Sequence, residues 1–251
     1  MEQIKHQNTG LYQAIYHQGS WDVVLAAAEL AARPSVQIMD LYSGAFDFEP
    51  LDIGFNNLVD HQGISTNPAY VPTPPHGSLV HGMELGLARA VEAGTFPGAA
   101  SVYLIKTGQG GSRIAQWDVG GVYWTKFLQR VDAAKAVLPA DARWIVWYSQ
   151  GINDAVAGVP IATWKTATIA HLDKLKAQLP GCQIIFTEFQ SMPANGGYPA
   201  LNTAIRELVA ADPAALASVS TVGAPAQDGN HWSYAGYRDV VVPALVAATR
   251  P

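Results

Sequence analysis

Apolar runs of strand length alternate with longer helical patterns along most of the chain. The short apolar runs predict strands at 11–17, 36–42, 101–106, 144–148, 183–189 and 217–222. Apolar positions at helical spacing predict helices at 21–32, 77–93, 123–137, 161–179, 200–211 and 234–249. Continuous apolar strands separated by helices are typical of a mostly parallel sheet covered on both faces, so the pattern predicts an α/β fold.

One stretch breaks this alternation. Residues 44–75 are polar and rich in Gly and Pro, and they are too many for an ordinary connection. We expect a functional loop there. Neither an internal repeat nor an interdomain linker is evident, so we expect a single domain over residues 1–251.

Composition narrows the class of protein. The chain has 251 residues, of which 49% are hydrophobic and only 14% charged, which favours a large core over disorder. The net charge of −5 gives no basic footprint, so we expect no nucleic-acid partner. The chain has no apolar run of membrane-spanning length, and we expect no membrane partner either.

The first residues of the sequence bear on the cellular location of the protein, and its single cysteine bears on thiol chemistry. Residues 1–7 lack the apolar core of a signal peptide, which leaves a cytoplasmic, a trimmed secreted and a virion-associated setting open. Cys182 is the single cysteine, so no internal disulfide can form, and its apolar neighbours predict a buried core residue rather than a reactive thiol.

Four polar or Gly-rich loops follow predicted strands. In an open parallel sheet the carboxyl ends of the strands lie at one edge, where ligands bind. We therefore expect these loops to lie near one another: 17–20, 108–112, 150–154 and 227–233.

Asp228 and His231 form the strongest candidate pair. A tight turn can aim both side chains at one point, with the carboxylate accepting from one imidazole nitrogen and the other nitrogen facing a nucleophile. The alternative is a surface turn in which Asp228 only caps the next helix. The other His residues are scattered, and we predict no metal site and no cofactor.

Two loops offer hydrogen-bond donors for a developing oxyanion. Asn153, in a turn directly after the 144–148 strand, can present its amide, and Gly110 or Gly111 can bring a backbone N–H close to a substrate oxygen. Plain turns are the alternative for both sequences, because Asn, Asp and Gly are common turn residues.

Ser20 and Ser43 are the candidate nucleophiles. Ser20 follows the first predicted strand and directly precedes a helix, whose N-terminal amides can stabilise an alkoxide, although it could equally be a simple N-cap. Ser43 follows the second strand. Neither lies in the G-x-S-x-G elbow of the common α/β-hydrolases.

Aromatic and amide side chains at these loops suggest a ligand. Trp21, Trp117, Trp147 and Trp232 lie at or beside the loops, and aromatic faces can stack on sugars. We expect the substrate-binding side chains to be Gln18, Trp21, Gln150 and Trp232.

The loop sequences together resemble a known superfamily. Gly110-Gly111-Ser112 after a strand, Gln150-Gly151-Ile152-Asn153-Asp154, and Asp228 with His231 are similar to blocks of the SGNH (GDSL-like) hydrolases, in particular of their carbohydrate-esterase branch of the sialate O-acetylesterase and acetylxylan esterase type. The branch's first block, G-Q-S-N, has its nearest counterpart in 17–21, where it is shifted by one residue and lacks Asn. Ile152 replaces the usual Glu of the middle block.

The resemblance implies a fold and an activity. It implies a three-layer α/β/α sandwich with a flavodoxin-like parallel sheet, and a serine esterase that removes O-acetyl groups from a carbohydrate. Ser20, Asp228 and His231 would form the triad, and the Ser20 N–H, Gly110, Gly111 and Asn153 would bind the oxyanion. Two alternatives stay open: a broader esterase or thioesterase for lipid-like or aryl esters, and a non-catalytic carbohydrate-binding module on the same fold.

Overall fold

The computed structural model describes residues 9–15, 33–39, 47–51, 82–96, 101–108 and 111–250. Seven strands join one sheet in the described residues. Their bounds are β1 Thr9–Ile15, β2 Arg33–Met39, β3 Phe48–Leu51, β4 Ser101–Lys106, β5 Arg143–Tyr148, β6 Gln183–Thr187 and β7 Leu216–Val219.

Helices fill the connections between these strands. They are α1 Glu84–Glu92, α2 Val122–Val137, α3 Ile152–Val156, α4 Ile161–Gln178 and α5 Pro199–Ala211, with short 3₁₀ turns at Ile114–Trp117 and Ala194–Gly197. Tyr234–Gly236, the π-helical Tyr237–Val241 and Val242–Ala248 follow one another without a break and are called α6 here. No helix among the described residues is both long enough and apolar enough to cross a membrane.

The sheet is parallel except at one edge. Its order is β3-β2-β4-β1-β5-β6-β7, and only β3 pairs antiparallel with its neighbour. The expectation of an irregular loop at 44–75 is therefore wrong at Phe48–Leu51, where a short strand covers the edge of β2. The predicted helix at 21–32 and most of 52–75 lie outside the described residues.

β2 begins earlier than the hydrophobic pattern predicts. It starts at Arg33, directly after the predicted helix at 21–32, and includes Pro34. Proline has no N–H for a strand ladder. The register of β2 against β3 shifts between Arg33 and Gln37, so the proline lies where the ladder is interrupted.

Both faces of the sheet are covered, as an α/β/α sandwich requires. Successive β4 side chains separate into two clusters, with Val102 and Leu104 in one and Tyr103 and Ile105 in the other. All five residues of β6 are buried. The predicted fold class is confirmed.

The strand order departs from the flavodoxin-like arrangement in one respect. A flavodoxin-like sheet has its second strand next to its first. Here β4 lies between β1 and β2, so β1 is flanked by β4 and β5. The carboxyl end of β1 therefore lies between the carboxyl ends of β4 and β5.

His171 of α4 is a buried histidine in an aromatic environment. Its side chain is 3% exposed, and its ring centroid lies 5.5 Å from Trp124 and 6.0 Å from Tyr148. Burial, aided by the nearby Lys174 charge, lowers the pKa of His171 to about 3. The imidazole is neutral in the folded protein at every pH above that value.

His171→Leu should make folding less sensitive to mild acid. Unfolded histidine titrates near pH 6.5, so between about pH 6.5 and 3 the unfolded state binds the extra proton and stability falls as pH falls. Between pH 7 and 5 this should cost the parent protein about 2 kcal/mol that the variant does not lose. Urea unfolding at both pH values measures the difference, and an equal loss in both proteins would contradict the assignment.

Candidate active site

A buried carboxylate joins the loops that follow β4 and β5. Oδ2 of Asp154 accepts hydrogen bonds from Nε2 of Gln150 at 2.6 Å and from the Ile114 N–H at 3.0 Å. The side chain is 2% exposed, and this burial raises the pKa of Asp154 although both donors lower it in part. The two loops are thus held at a fixed distance from each other.

Gly151 permits this arrangement through its backbone and its lack of a side chain. Its φ of +124° is unfavourable for other residues, and a Cβ there would lie 2.9 Å from Cδ1 of Leu201 and 3.0 Å from Nε1 of Trp164. The predicted turn at 151–154 is wrong in one respect, because α3 begins at Ile152 and places Asn153 in its first turn. The Asn153 side chain is half-buried.

Gln150 supports the site rather than facing a ligand. Its Oε1 accepts from Nε1 of Trp164 at 2.9 Å, its Nε2 donates to Asp154, and the residue is 7% exposed. Both ends of the amide are therefore bonded inside the protein. The substrate contact expected of Gln150 stays a prediction, and in this structure its amide positions Asp154 and Trp164.

A hairpin presents Asp228 and His231. The Gln227 N–H donates to the His231 carbonyl at 2.9 Å, and the Ser233 N–H donates to the Pro225 carbonyl at 2.9 Å. The hydroxyl of Ser233 then accepts from the Gly236 N–H and caps the start of α6. The hairpin is thus anchored at its base by the helix that follows it.

Within the hairpin, the carboxylate and the imidazole are directly paired. Nδ1 of His231 lies 2.8 Å from Oδ2 and 2.9 Å from Oδ1 of Asp228, while Oδ1 also accepts from the Asn230 and His231 N–H groups. Partial burial raises the pKa of Asp228, but these hydrogen bonds outweigh it and hold the pKa below its usual range. A charged Asp228 favours the tautomer with the proton on Nδ1, which leaves Nε2 of a neutral imidazole without a proton.

The loop after β6 braces the hairpin tip. The Tyr198 hydroxyl donates to Oδ1 of Asn230, and the Ala194 N–H donates to the Gly229 carbonyl at 3.0 Å. Gly197 makes this loop possible, since a Cβ there would lie 2.4 Å from the Gln190 carbonyl oxygen. The hairpin is therefore held from the side as well as from its base.

An ion pair is buried beneath the loop that follows β4. Nζ of Lys106, the last residue of that strand, lies 3.5 Å from Oε2 of Glu84, and the side chains are 5% and 2% exposed. Oε1 of Glu84 also accepts from the Gly82 N–H at 2.7 Å. Burial lowers the pKa of Lys106 against the opposing effect of Glu84. The pair ties α1 to the strand end that leads to the predicted oxyanion glycines.

Comparison with known proteins assigns the chain to a family. The family described as carbohydrate esterase, sialic acid-specific acetylesterase, matches residues 61–241. The protein belongs to this family. The match spans most of the chain and includes both the Gln150–Asp154 segment and the Asp228–His231 hairpin.

Solved structures agree on the fold. The chain is similar to a protein from Arabidopsis thaliana, with a TM-score of 0.66 and 14% identity over 96% of this chain and 97% of that one. It is also similar to NanS, with a TM-score of 0.69 and 14% identity over 96% of both chains. At this identity the likeness concerns the fold alone. Comparison with curated proteins gives no match.

The three loop tryptophans that the structure describes are buried in this carbohydrate esterase family member. Trp117 and Trp147 are each 2% exposed and Trp232 is 0% exposed, so none of the three presents a face to a ligand. Trp232 stacks on Phe189 and donates to Oγ of Ser191 at 3.0 Å. The substrate contact expected of Trp232 stays a prediction, and in this structure the indole holds the hairpin on the core.

Several predicted site residues lie outside the described part of the chain. They are Gln18, Ser20, Trp21, Ser43 and Gly110. Gly111 is described and exposed, with a φ of +71°. Among the described residues, no group of three or more His, Cys, Asp or Glu side chains could hold a metal ion.

Sequence reasoning missed Tyr198, Glu84 and Lys106 as parts of the site. The run Asn195-Gly196-Gly197 indicates a turn before Tyr198, but nothing in it indicates a bond to Asn230. A lysine at the end of an apolar strand was the available signal for a buried ion pair, because such a lysine needs a carboxylate partner.

Tyr198→Phe should destabilise the protein by about 1 kcal/mol, because it removes the hydrogen bond from the Tyr198 hydroxyl to Asn230. Tyr148→Phe is the matched control. The Tyr148 hydroxyl is buried and has no hydrogen-bond partner in the described part of the chain, so its removal should be neutral or stabilising. Urea unfolding of both variants measures the contrast, and equal effects would contradict the bracing role of Tyr198.

Proposed function

We propose that this protein is a serine esterase that removes O-acetyl or other short acyl groups from a carbohydrate. The observation that carries the proposal is the Asp228–His231 pair, with Nδ1 2.8 Å from the carboxylate, in a chain of a carbohydrate esterase family. Such a pair activates a nucleophile and is not needed for sugar binding alone.

The strand order favours Ser20 over Ser43 as the nucleophile. Ser20 comes five residues after β1, which is flanked by β4 and β5, whereas Ser43 follows β2. Three strand spacings of about 4.8 Å separate β2 from β5, or roughly 14 Å, and one separates β1 from β5. β1, the strand that precedes Ser20 in sequence, therefore ends beside β5, the strand that precedes Asn153.

In the proposed reaction, the Ser20 hydroxyl attacks the acyl carbonyl as Nε2 of His231 takes its proton. Asp228 holds the imidazole in the required tautomer and stabilises the imidazolium. His231 then protonates the sugar oxygen as the C–O bond breaks and the acyl-enzyme forms. A water molecule activated by His231 releases the carboxylic acid and restores Ser20.

The oxyanion would be bound by groups from three loops. We assign this role to the Ser20 N–H, the Gly110 or Gly111 N–H and the Asn153 side chain. The Asp154 carboxylate supports the assignment, because its bonds to Ile114 and Gln150 fix the loops that carry Gly111 and Asn153. Three side chains and these donors suffice for ester hydrolysis without a cofactor.

Labelling with a fluorophosphonate tests the nucleophile. The adduct should map to Ser20, and Ser20→Ala should abolish labelling and lower turnover of p-nitrophenyl acetate at least about 1000-fold. Ser43→Ala is the matched control and should be labelled like the parent. His231→Ala should fold normally and lose turnover to a similar extent.

The same experiment separates the alternatives. An adduct on Ser43 would mean that the protein is still a serine esterase but that its nucleophile is Ser43 and not Ser20. A folded sample that shows neither labelling nor hydrolysis would favour a non-catalytic carbohydrate-binding module.

Asn153→Ala should lower kcat about 100- to 1000-fold with little change in KM, because an oxyanion donor acts in the transition state. Asn153→Asp has nearly the same shape but replaces the donor with a negative charge, and it should be at least as impaired. Steady-state kinetics on p-nitrophenyl acetate measures both variants. A rise in KM alone would show that Asn153 only binds substrate.

A further inference from the structure

One buried side chain closes the loop that joins β6 to α5. Asn202, in the first turn of α5, is 2% exposed. Its Oδ1 accepts from the Phe189 N–H at 2.7 Å, and its Nδ2 donates to the Gly197 carbonyl at 2.6 Å. A single amide therefore joins the first and the last residue of segment 189–197, which we call the β6–α5 loop.

The backbone at the end of the β6–α5 loop is unfavourable without such a support. Asn195, Gly196, Gly197 and Tyr198 all have a positive φ, between +49° and +77°. In this region the Cβ of an L-residue lies close to the following carbonyl oxygen, which a bulky residue such as Tyr198 tolerates poorly. Four such residues in succession persist only where surrounding contacts determine their conformation. The two hydrogen bonds of Asn202 supply part of that constraint.

The closed loop holds the hairpin on both sides of His231. Oγ of Ser191 accepts from Nε1 of Trp232 at 3.0 Å, and the Tyr198 hydroxyl, directly after the loop, donates to Asn230. Asn230 and Trp232 are the residues before and after His231 in the chain. A change in the shape of the loop is therefore transmitted to the proposed base from both of its neighbours.

We propose that Asn202 is a positioning residue for His231, because it closes the loop that sets the place of the imidazole relative to the nucleophile. This inference rests on the proposed esterase function. The contact between Asp228 and His231 lies within the hairpin, so the loss of Asn202 should displace the pair as a unit. A displacement of about 1 Å can lower turnover about 100-fold. Asn202 thus acts through the hairpin and not through contact with the ester.

Gln183 offers a matched control, because its amide makes the same two kinds of bond far from the hairpin. Its Nε2 donates to the Ala248 carbonyl at 2.9 Å, its Oε1 accepts from the Arg250 N–H at 3.0 Å, and the residue is 8% exposed. Gln183 begins β6 and so lies at the amino edge of the sheet, opposite the edge where ligands bind. The length of α6, about 22 Å, separates its bonds from the hairpin.

Asn202→Leu and Gln183→Met test the role of Asn202. Each change keeps much of the side-chain shape, adds no charge and leaves one backbone N–H and one carbonyl without their amide partner. Both variants should therefore unfold at a lower urea concentration than the parent. Only Asn202→Leu should lower kcat on p-nitrophenyl acetate, about 10- to 100-fold with little change in KM. Steady-state kinetics at a temperature where both variants are folded measures the contrast, and an equal kcat in the two would overturn the proposal.

Ser191→Ala tests the same loop with Asn202 in place. It removes the acceptor of the Trp232 indole N–H and should lower kcat at least about threefold, again with little change in KM. If Asn202→Leu did not fold, an unchanged kcat in Ser191→Ala would overturn the proposal.

Amide hydrogen exchange separates the positioning role from the chemistry. The Ala194 N–H, bonded to the Gly229 carbonyl, reports directly on the contact between the loop and the hairpin. Asn202→Leu should speed its exchange at least about tenfold relative to Gln183→Met. If exchange changed in this way but the parent hydrolysed no ester, the proposed function would fail while the hold of Asn202 on the hairpin would stand. Equal exchange in the two variants would show that Asn202 does not hold the hairpin and would overturn the proposal.

Discussion

The buried carboxylate of Asp154 is the constraint on which the candidate site depends. It joins the Ile114 N–H, in the loop after β4, to Gln150, in the loop after β5, and Gln150 in turn holds Trp164 of α4. A buried carboxylate is costly unless hydrogen bonds compensate it, so these donors cannot be removed singly without loss. Gly151 must also approach Trp164 and Leu201 closely for the network to close. One side chain thereby sets the relative positions of the two loops that carry Gly111 and Asn153, two of the proposed oxyanion donors.

The parts of the fold that could be predicted from sequence are those with a local cause. Ser101–Lys106 matches its predicted bounds because a continuous apolar run can only be a covered strand in this context. Asp228 and His231 were predictable as a pair because a short turn fixes their separation. The position of β4 beside β1, and the strand at Phe48–Leu51, depend on contacts between distant segments that no local pattern records.

The orientation of polar and aromatic side chains was the weaker part of the prediction. Gln150 and Trp232 lie in the predicted loops, yet both point into the protein. Amide and indole groups hydrogen-bond equally well to a ligand or to a neighbouring side chain, so their identity does not decide which. With the described tryptophans of the loops buried, the carbohydrate assignment rests on family membership.

The position of the Asp228–His231 hairpin along the chain affects when the site can be completed during synthesis. The hairpin follows β7, the last strand of the sheet, and rests on α6, whose end is tied beneath β6 by the Gln183 bonds to Ala248 and Arg250. β1 leaves the ribosome before its two neighbours in the sheet, β4 and β5. The proposed nucleophile, Ser20, is thus translated before those two strands, and its proposed base, His231, is translated only after β7. A nascent chain that stalls before residue 228 would lack the Asp228–His231 pair although all seven described strands had been made.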